Sequence, residues 1–297
     1  MSCVSLATIC LWLAAGAAAQ CSREMLKNAT DQYVAAQTSG SRGALTYLAS
    51  NVTYTENEQA VDIGSGVLSR AIRPDHARSV HDTERCATFT ELVAATGTEH
   101  PYVIGTRMVF AGERVASVES IVTDAGDWLF NATGYLYWGA REAWDPIPEA
   151  QRDSREAIQA AGDAYFDRFG DEGVSVPFGT PCARLEGGAY TDSDGAGTNN
   201  TCSLGLPSTI KITNRRYVVD EEMGVVDIYV GFPGLDMSVP DQAMPDSHMF
   251  RVEKGEIRYV HTVSACVNAG CGLNGTLPPL RQRQRQQQSV RRVPKLY

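Results

Sequence analysis

The chain has 297 residues, and its 26 lysines and arginines against 35 aspartates and glutamates give a formal charge of −9. Six of the basic side chains lie in the last 17 residues, so the rest of the chain carries 20 basic and 35 acidic side chains. A body this acidic repels nucleic acids and anionic membrane surfaces, and we expect neither as a partner.

The first 19 residues read MSCVSLATICLWLAAGAAA, with no charged side chain, an apolar centre and three alanines before Gln20. An apolar run this short, with no stop-transfer segment behind it, is typical of a secretory signal peptide and not of a membrane span. We therefore expect a protein that is secreted or resides in the secretory pathway.

Six cysteines remain beyond the signal peptide, an even number on an oxidising route. Disulfides are the default there, and six cysteines allow 15 connectivities, among which the sequence does not choose. Zinc binding is the alternative, but no closely spaced Cys or His pair supports it. Five N-glycosylation sequons agree with secretion. The cysteines are Cys21, Cys86, Cys182, Cys202, Cys266 and Cys271, and the sequon asparagines are Asn28, Asn51, Asn131, Asn199 and Asn274.

The next elements occur twice along the chain in the same order, which indicates an internal repeat. A helical pattern opens each half, at residues 21–36 and 153–169; in the second, apolar residues recur every three or four positions. A short acidic motif follows, and it places Glu56 of YTENE opposite Glu186 of ARLEGG. A loop then leads to a cysteine in both copies.

Each half continues with two apolar runs joined by a Gly-containing turn, which is the pattern of a β-hairpin. One hairpin starts at Tyr102 and the other at Ile210, so Arg107 and Arg216 are expected at corresponding strand starts. A last hairpin is expected to close each copy, at residues 127–138 and 247–261, and only the second ends in histidine.

The repeat predicts two α+β domains, in which helices cover one face of a curved antiparallel sheet. About 250 residues are also enough for one large domain, but the repeat favours two. A linker rich in proline and charge, REAWDPIPEAQRDS, separates them. The predicted segments are a signal peptide at 1–19, a first domain at 20–144, a second domain at 145–271, and a basic, disordered tail at 272–297.

This order of elements resembles the NTF2-like fold of ketosteroid isomerases and scytalone dehydratase, here in tandem. Motifs between Cys21 and Cys266 also resemble a family of secreted fungal proteins with a duplicated domain, notably YTEN, HDTERCATFTEL, PYVIGTR, GDWLFNATGYLYW, VPFGTPCARLEGG, RRYVVD and FRVEKGEIRYVHTVSAC. That family includes the ketosteroid-isomerase-like maleidride dimerising cyclases, which couple two alkyl maleic anhydride units in fungal secondary metabolism. The resemblance implies a cofactor-independent cyclase or isomerase with a small-molecule substrate and co-acting biosynthetic proteins. It assigns no catalytic residue.

Such an enzyme needs a base and an oxyanion donor in an apolar pocket. In GEIRYVHTV, strand alternation puts Ile257, Tyr259, His261 and Val263 on one face, which we expect to point inward. Burial then lowers the pKa of His261 and leaves a neutral general base, with Tyr259 donating to the enolate oxygen. The alternative is a core histidine hydrogen-bonded to backbone.

The repeated glutamates and arginines form a second set of candidates. Glu56 and Glu186 are either required by the fold or are pocket acids, and repetition favours the fold requirement. Arg107 and Arg216 either form ion pairs with those glutamates or hold a carboxylate or anhydride oxygen. In both cases we expect the glutamates and arginines to meet.

A third candidate is a loop dyad in which His81 acts as a base oriented by Asp82, with Arg78 near enough to hold an anion. Neighbouring residues point in different directions unless the turn between them is tight, so this pattern has low specificity.

Several motifs are absent from the sequence: a GxSxG elbow, a P-loop, a GxGxxG after a strand, and HExxH. The classes of function that remain are catalysis without a cofactor and ligand binding without catalysis. The leading hypothesis is an enolate-forming cyclase of the maleidride type, and the rival is a non-catalytic secreted binding protein or effector with an apolar ligand. A glycosidase using Glu56 and Glu186 as paired acids would need both in one site, which the repeat disfavours.

Overall fold

The computed structural model describes residues 21–194, 197–236 and 238–271. The predicted signal peptide, the sequon at Asn274 and the basic tail therefore lie outside the described residues. The predicted boundary after Trp144 falls between the last strand of the first sheet and the first helix of the second half.

The first half contains one long helix, six strands that form a single sheet, and a short second helix. The bounds are α1 (Arg23–Ser39), β1 (Leu48–Glu56), β2 (Gln59–Ala60), β3 (His76–Asp82), β4 (Ala87–Ala94), β5 (Tyr102–Ala111), β6 (Arg114–Thr123) and α2 (Ala132–Gly139).

The second half repeats the helix and the six strands. Its elements are α3 (Arg155–Arg168), β7 (Phe178–Glu186), β8 (Ala189–Tyr190), β9 (Thr213–Asp220), β10 (Val225–Pro233), β11 (Ala243–Glu253) and β12 (Glu256–Ser264).

The two sheets have the same topology, with strand orders β2-β1-β6-β5-β4-β3 and β8-β7-β12-β11-β10-β9. In each sheet one pair is parallel, β1 with β6 and β7 with β12, and the other pairs are antiparallel. Glu56 lies beside Ser120, and Glu186 lies beside Thr262 at the same point. The prediction of two tandem α+β domains is therefore confirmed, and Glu56 and Glu186 are equivalent, although each sheet is mixed and not wholly antiparallel as expected.

α1 packs on the first sheet through one face. Ser22 caps its start by accepting a hydrogen bond from the Met25 N–H, and Gly40 ends it in the left-handed conformation. Leu26 and Tyr33 are among its buried residues, and they belong to a core shared with β1, β4, β5 and β6. α3 covers the second sheet in the same way.

One predicted correspondence between the halves is wrong. The hairpin from Tyr102 is β5–β6, and its partner in the second half is β11–β12 and not the strands that follow Ile210. The β9–β10 hairpin corresponds to β3–β4 instead. Cross-strand registers consequently align Arg216 with Arg78 and Arg107 with Met249. Each half contains two apolar hairpins with similar patterns, so the sequence pattern alone did not show which hairpin of one half corresponds to which hairpin of the other.

The predicted hairpin at residues 127–138 is also wrong, because residues 132–139 form α2. Asn131 caps this helix by accepting a hydrogen bond from the Gly134 N–H at 2.9 Å. Tyr135 is buried whereas Tyr137 is 48 % exposed, so the aromatic residues follow a helical and not an alternating pattern.

The two domains pack sheet against sheet through a third apolar core. It contains residues from β3, β4, β5, β6 and α2 of the first half and from β7, β9, β10, β11 and β12 of the second. This arrangement buries the faces of both sheets that point away from α1 and α3.

Two equivalent ion pairs cross this interface, each from the first helix of one domain to an aspartate of the other domain. Arg23, the first residue of α1, donates two hydrogen bonds to Asp220 of the other domain at 2.8 and 2.9 Å. Arg155, the first residue of α3, donates two to Asp82 at 2.8 and 2.6 Å. We call these the two Arg–Asp clamps.

The aspartates of the clamps also bind backbone across the interface in matching ways. Asp220 accepts from the His81 N–H at 2.8 Å, and Asp82 accepts from the Val219 N–H at 3.0 Å. Each contact thus has a counterpart in which the domains exchange roles, as at the interface of a symmetric dimer.

All six described cysteines are paired, which confirms the predicted disulfides and selects one connectivity. The pairs are Cys21–Cys86, Cys182–Cys202 and Cys266–Cys271. Within the described ranges, no helix has the length and apolarity needed to cross a membrane.

Candidate functional site

The face of the second sheet that packs under α3 carries an Asp–His pair on one strand. Asp246 and His248 are two residues apart on β11, so their side chains lie on the same face. His248 Nδ1 lies 2.5 Å from Asp246 Oδ1, and Ser264 of β12 donates to the other carboxylate oxygen. We call Asp246 and His248 the β11 dyad.

Aromatic rings surround the imidazole of the dyad. Four rings lie with their centroids 5.0 to 6.2 Å from that of His248: Tyr165, Phe166, Phe232 and Phe250. The side chain of His248 is 4 % exposed and that of Asp246 is 0 % exposed. Aromatic side chains of the core under α3 thus enclose a polar pair.

The carboxylate fixes the chemistry of the imidazole. Because Asp246 accepts at Nδ1, that nitrogen holds the proton of the neutral ring, and Nε2 keeps the basic lone pair. The dyad therefore has the arrangement of a general base with an orienting group.

A buried phenol and guanidinium lie in the same interior. Arg184 of β7 donates to the Tyr165 hydroxyl oxygen at 3.3 Å, and its Nε lies 3.2 Å from Glu186. Burial raises the pKa of Tyr165 to about 12 against the opposing effect of Arg184, so the phenol stays protonated at neutral pH. Its own O–H is a donor for an oxygen atom of a ligand.

The first domain lacks these charges at the matching positions. The strand registers align His248 with Thr106 and Asp246 with Ile104. Thr106 forms hydrogen bonds with Tyr33 at 2.7 Å and Ser120 at 2.9 Å, all of them neutral groups. The two domain interiors therefore differ in chemistry although they share one topology.

The predicted glutamates bind groups of their own domains. Glu56 accepts a hydrogen bond from the Tyr54 hydroxyl at 2.6 Å and another from the backbone N–H of Val67. Glu186 pairs with Arg184, two residues before it on the same strand face. Both glutamates thus lie on the helix-covered sides of their sheets.

The predicted arginines lie at the domain interface, so the expected Glu–Arg meeting is wrong. Arg107 donates to Glu119 of β6 at 3.0 Å. Arg216 reaches the same glutamate at 3.0 Å and also contacts Glu58. The physical reason is strand alternation, since these arginines point away from the faces that carry the glutamates.

His261 lies between two carboxylates at the domain interface. Its Nδ1 is 2.8 Å from Glu91 of β4, and its Nε2 contacts Glu142 of the connecting segment. Glu91 also accepts from the Tyr135 hydroxyl at 2.7 Å and from Arg78 at 3.0 Å. We call His261, Glu91, Glu142 and Arg78 the interdomain charge cluster.

The expected neutral state of His261 is wrong. Burial opposes the charged imidazole, but Glu142 and Glu91 outweigh it and raise the pKa of His261 to about 9. Burial likewise opposes the charge of Glu91, and His261 and Arg78 overcome it to lower the pKa of Glu91 to about 2. An imidazolium with both nitrogens bound to carboxylates has no lone pair for a general base.

Tyr259 shares the interface side with His261, but the expected face is only partly right. The register shifts at Arg258, which is an extra residue in the strand, so Ile257 points to the core under α3. Tyr259 packs against Trp144, with ring centroids 5.6 Å apart. The bulge was not visible in the alternation of the sequence.

The predicted dyad of His81 and Asp82 does not form. These neighbours on β3 point to opposite faces, so His81 meets Thr30 of α1 at 3.1 Å while Asp82 binds Arg155 of the other domain. Arg78 belongs to the interdomain charge cluster.

Sequence reasoning missed Asp246 and His248. The signal was present in PDSHMF, because an Asp and a His two positions apart on a strand must share a face. In the part of the chain that the structure describes, no three His, Cys, Asp or Glu side chains are grouped to hold a metal ion.

Comparisons with known proteins cover parts of this chain. A family model described as a domain of unknown function (DUF8021) matches residues 151–264, which is most of the second half. No curated protein matches the chain. One similar solved structure is an NTF2-like protein of unknown function from Shewanella baltica OS155, with 9 % identity and a TM-score of 0.26, covering 34 % of this chain and 92 % of that one.

A second solved structure is from Xanthomonas campestris pv. campestris and is provisionally described as a polyketide cyclase. It is 14 % identical, has a TM-score of 0.26, and covers 36 % of this chain and 90 % of that one. Both alignments span about one domain of this chain, and at such scores they carry no argument about its activity.

Proposed function

We propose that the chain is a cofactor-independent cyclase or isomerase that transfers a proton on an apolar substrate inside the second domain. The observation that supports this most is the β11 dyad, a buried His–Asp pair walled by four aromatic rings. In this proposal His248 is the general base, and Asp246 orients it.

The reaction begins with removal of a proton from a carbon conjugated with a carbonyl, which in an alkyl maleic anhydride is the alkyl carbon attached to the ring C=C. The C–H electron pair forms a new C=C bond to the ring, the ring C=C pair shifts towards the carbonyl carbon, and the carbonyl π pair moves to oxygen. The product is a dienolate, and His248 Nε2 holds the proton. Tyr165, whose oxygen already accepts from Arg184, donates its O–H to the enolate oxygen. The dienolate carbon then forms a C–C bond to the C=C of a second anhydride unit, whose π pair moves onto the neighbouring carbon and takes the proton from His248. In an isomerisation, the dienolate itself regains that proton at another carbon.

Alkyl maleic anhydrides are the first substrates to test, because motifs of this sequence resemble the maleidride dimerising cyclases. Such a substrate is apolar along its alkyl chain and acidic at the alkyl carbon attached to the ring C=C, which suits aromatic walls around one base. His261, the base expected from the sequence, has both ring nitrogens bound to carboxylates, so His248 takes the role of the base.

The test is product formation from alkyl maleic anhydrides by the purified, glycosylated protein. We expect His248→Gln to lower turnover by about 10²- to 10⁴-fold, the usual contribution of a general base. His100→Gln is the matched control, since His100 forms an exposed pair with Asp124 at 2.9 Å. Full turnover by a folded His248→Gln variant would refute the role of the dyad.

A second measurement separates catalysis from plain binding. The interior of the first domain holds neutral hydrogen bonds between Tyr33, Thr106 and Ser120 at the place where the second domain holds the β11 dyad. If the wild-type protein binds the anhydrides but releases them unchanged, the chain is a secreted ligand-binding protein and the cyclase proposal fails.

A further inference from the structure

A groove of about 310 Å³ lies between α1 and β3 on the first domain. Its lining includes the charged side chains of Lys27 and Asp31 and the small residues Ala77 and Ser79. His81 lies in the same lining. We call it the α1 groove; it is separate from the proposed active site and independent of the proposed function.

The second domain fills the equivalent space with its own side chains. Cross-strand registers and the clamps align Ala77 with Arg215, Ser79 with Tyr217 and Asp31 with Asp163. The three residues of the second domain interact directly. Arg215 donates to Asp163 Oδ1 at 2.7 Å, and the Tyr217 hydroxyl donates to the same oxygen at 2.8 Å.

The first domain keeps the acceptor and lacks the donors. Asp31 has no hydrogen-bond or ion-pair partner among the described residues. Lys27 is one turn earlier on the same helix, where Gln159 stands in the second domain. The groove thus retains the carboxylate that holds a guanidinium and a phenol in its counterpart.

His81 contributes a neutral ring to the lining of the groove. The Thr30 hydroxyl donates to the Lys27 carbonyl at 2.9 Å, so His81 Nε2–H is the donor to Thr30. His81 Nδ1 is buried and lies 3.8 Å from Asp220 Oδ2, the carboxylate of the interdomain clamp, so this atom is not an acceptor for a ligand in the groove. Burial lowers the pKa of His81 to about 4, so the ring is neutral and does not repel a cation.

We infer that the α1 groove binds a guanidinium or amidinium group attached to a flat apolar body. The cation takes the place of the Arg215 guanidinium against Asp31, and the flat body takes the place of the Tyr217 ring over Ala77 and Ser79. Planar N–H donors match a carboxylate in a bidentate way, which favours them over an ammonium. The source is a small molecule or an arginine side chain of a peptide.

The first experiment is titration calorimetry of the full-length protein with benzamidine and with the peptide acetyl-Arg-Ala-Tyr-amide, using benzyl alcohol as the neutral control. We expect Asp31→Asn to weaken benzamidine binding about tenfold or more, because it removes a charge-assisted acceptor. Asp163→Asn is the matched control, and it should leave the affinity unchanged. Binding of benzamidine alone indicates a small-molecule source, and tighter binding of the peptide indicates an arginine side chain.

The second experiment fills the groove as the other domain does. We expect the double variant Ala77→Arg, Ser79→Tyr to abolish binding while the circular dichroism spectrum and disulfide content stay unchanged. Lys27→Gln should strengthen binding, because it removes a positive charge and copies Gln159. Equal affinities for the wild type, Asp31→Asn and the filled variant would overturn the inference, as would binding of benzyl alcohol as tight as that of benzamidine.

Discussion

His261 joins three parts of the chain through charge. Its ring lies between Glu91 of the first sheet and Glu142 of the connecting segment, and Arg78 binds the far side of Glu91. The side chains of His261, Glu91 and Glu142 are 1, 1 and 2 % exposed. Two positive and two negative groups cancel, which is why the interface tolerates four charges almost without water.

The protonation of His261 makes stability depend on pH. Its pKa is raised from 6.5 to about 9 in the folded protein, so between these values the folded state binds more protons than the unfolded state. The stabilisation is fully present below pH 6.5 and is lost as the pH rises through 9. We expect urea unfolding to show a loss on the order of 3 kcal/mol from this group between pH 6 and pH 10.

His261→Gln removes that dependence. The variant should be less stable than the wild type at pH 6, since two buried carboxylates lose their cation, and its stability should fall less towards pH 10. His100→Gln, at an exposed histidine, should keep the wild-type slope. An unchanged slope in His261→Gln would show that His261 is neutral in the folded protein.

At the scale of elements, the two Arg–Asp clamps fix how α1 and α3 meet the opposite sheet. Both aspartates are 0 % exposed, but Arg155 is 11 % exposed and Arg23 is 27 % exposed. Solvent therefore screens the Arg23 clamp more than the other. The equivalence of the clamps in geometry does not make them equal in energy.

Removing either arginine leaves a buried carboxylate without its main partner. We expect Arg155→Met to lower the free energy of unfolding by about 3 kcal/mol, and Arg23→Met to lower it by less, as measured by urea unfolding. Arg258→Met, at a partly exposed pair with Glu256, should cost about 0.5 kcal/mol or less. A larger loss for Arg23→Met than for Arg155→Met would contradict the ranking by exposure.

Periodicity and repetition in the sequence predict secondary-structure elements better than they predict tertiary contacts. Helices α1 and α3, the existence of two sheet-forming halves, the oxidised state of the six described cysteines and the equivalence of Glu56 with Glu186 follow from local pattern. Partners across the interface do not, since His261 binds Glu91, 170 residues earlier, and no local rule connects them. α2 was missed because a run of aromatic residues suggests a strand, although Asn131 is a strong helix cap.

For the whole molecule, the disulfides close loops of very different lengths. Cys21–Cys86 spans 65 residues, and Cys266–Cys271 spans 5. If loop entropy of the unfolded chain dominates, removing the longer link costs about 4 kcal/mol and removing the shorter about 2 kcal/mol. Thermal unfolding of the two double Cys→Ala variants should therefore rank them in that order, and the reverse order would point to strain or local contacts instead.

The symmetric arrangement of the two halves affects how substitutions can accumulate in them. In a dimer of identical subunits, every substitution arises at both symmetry-related places at once. Here each half is encoded separately, so Glu119 stands where the other half has His261, and Thr106 stands where it has His248. A substitution that would be harmful if it occurred in both subunits of a homodimer can be tolerated in one half here. The halves can therefore differ in chemistry while both Arg–Asp clamps are kept.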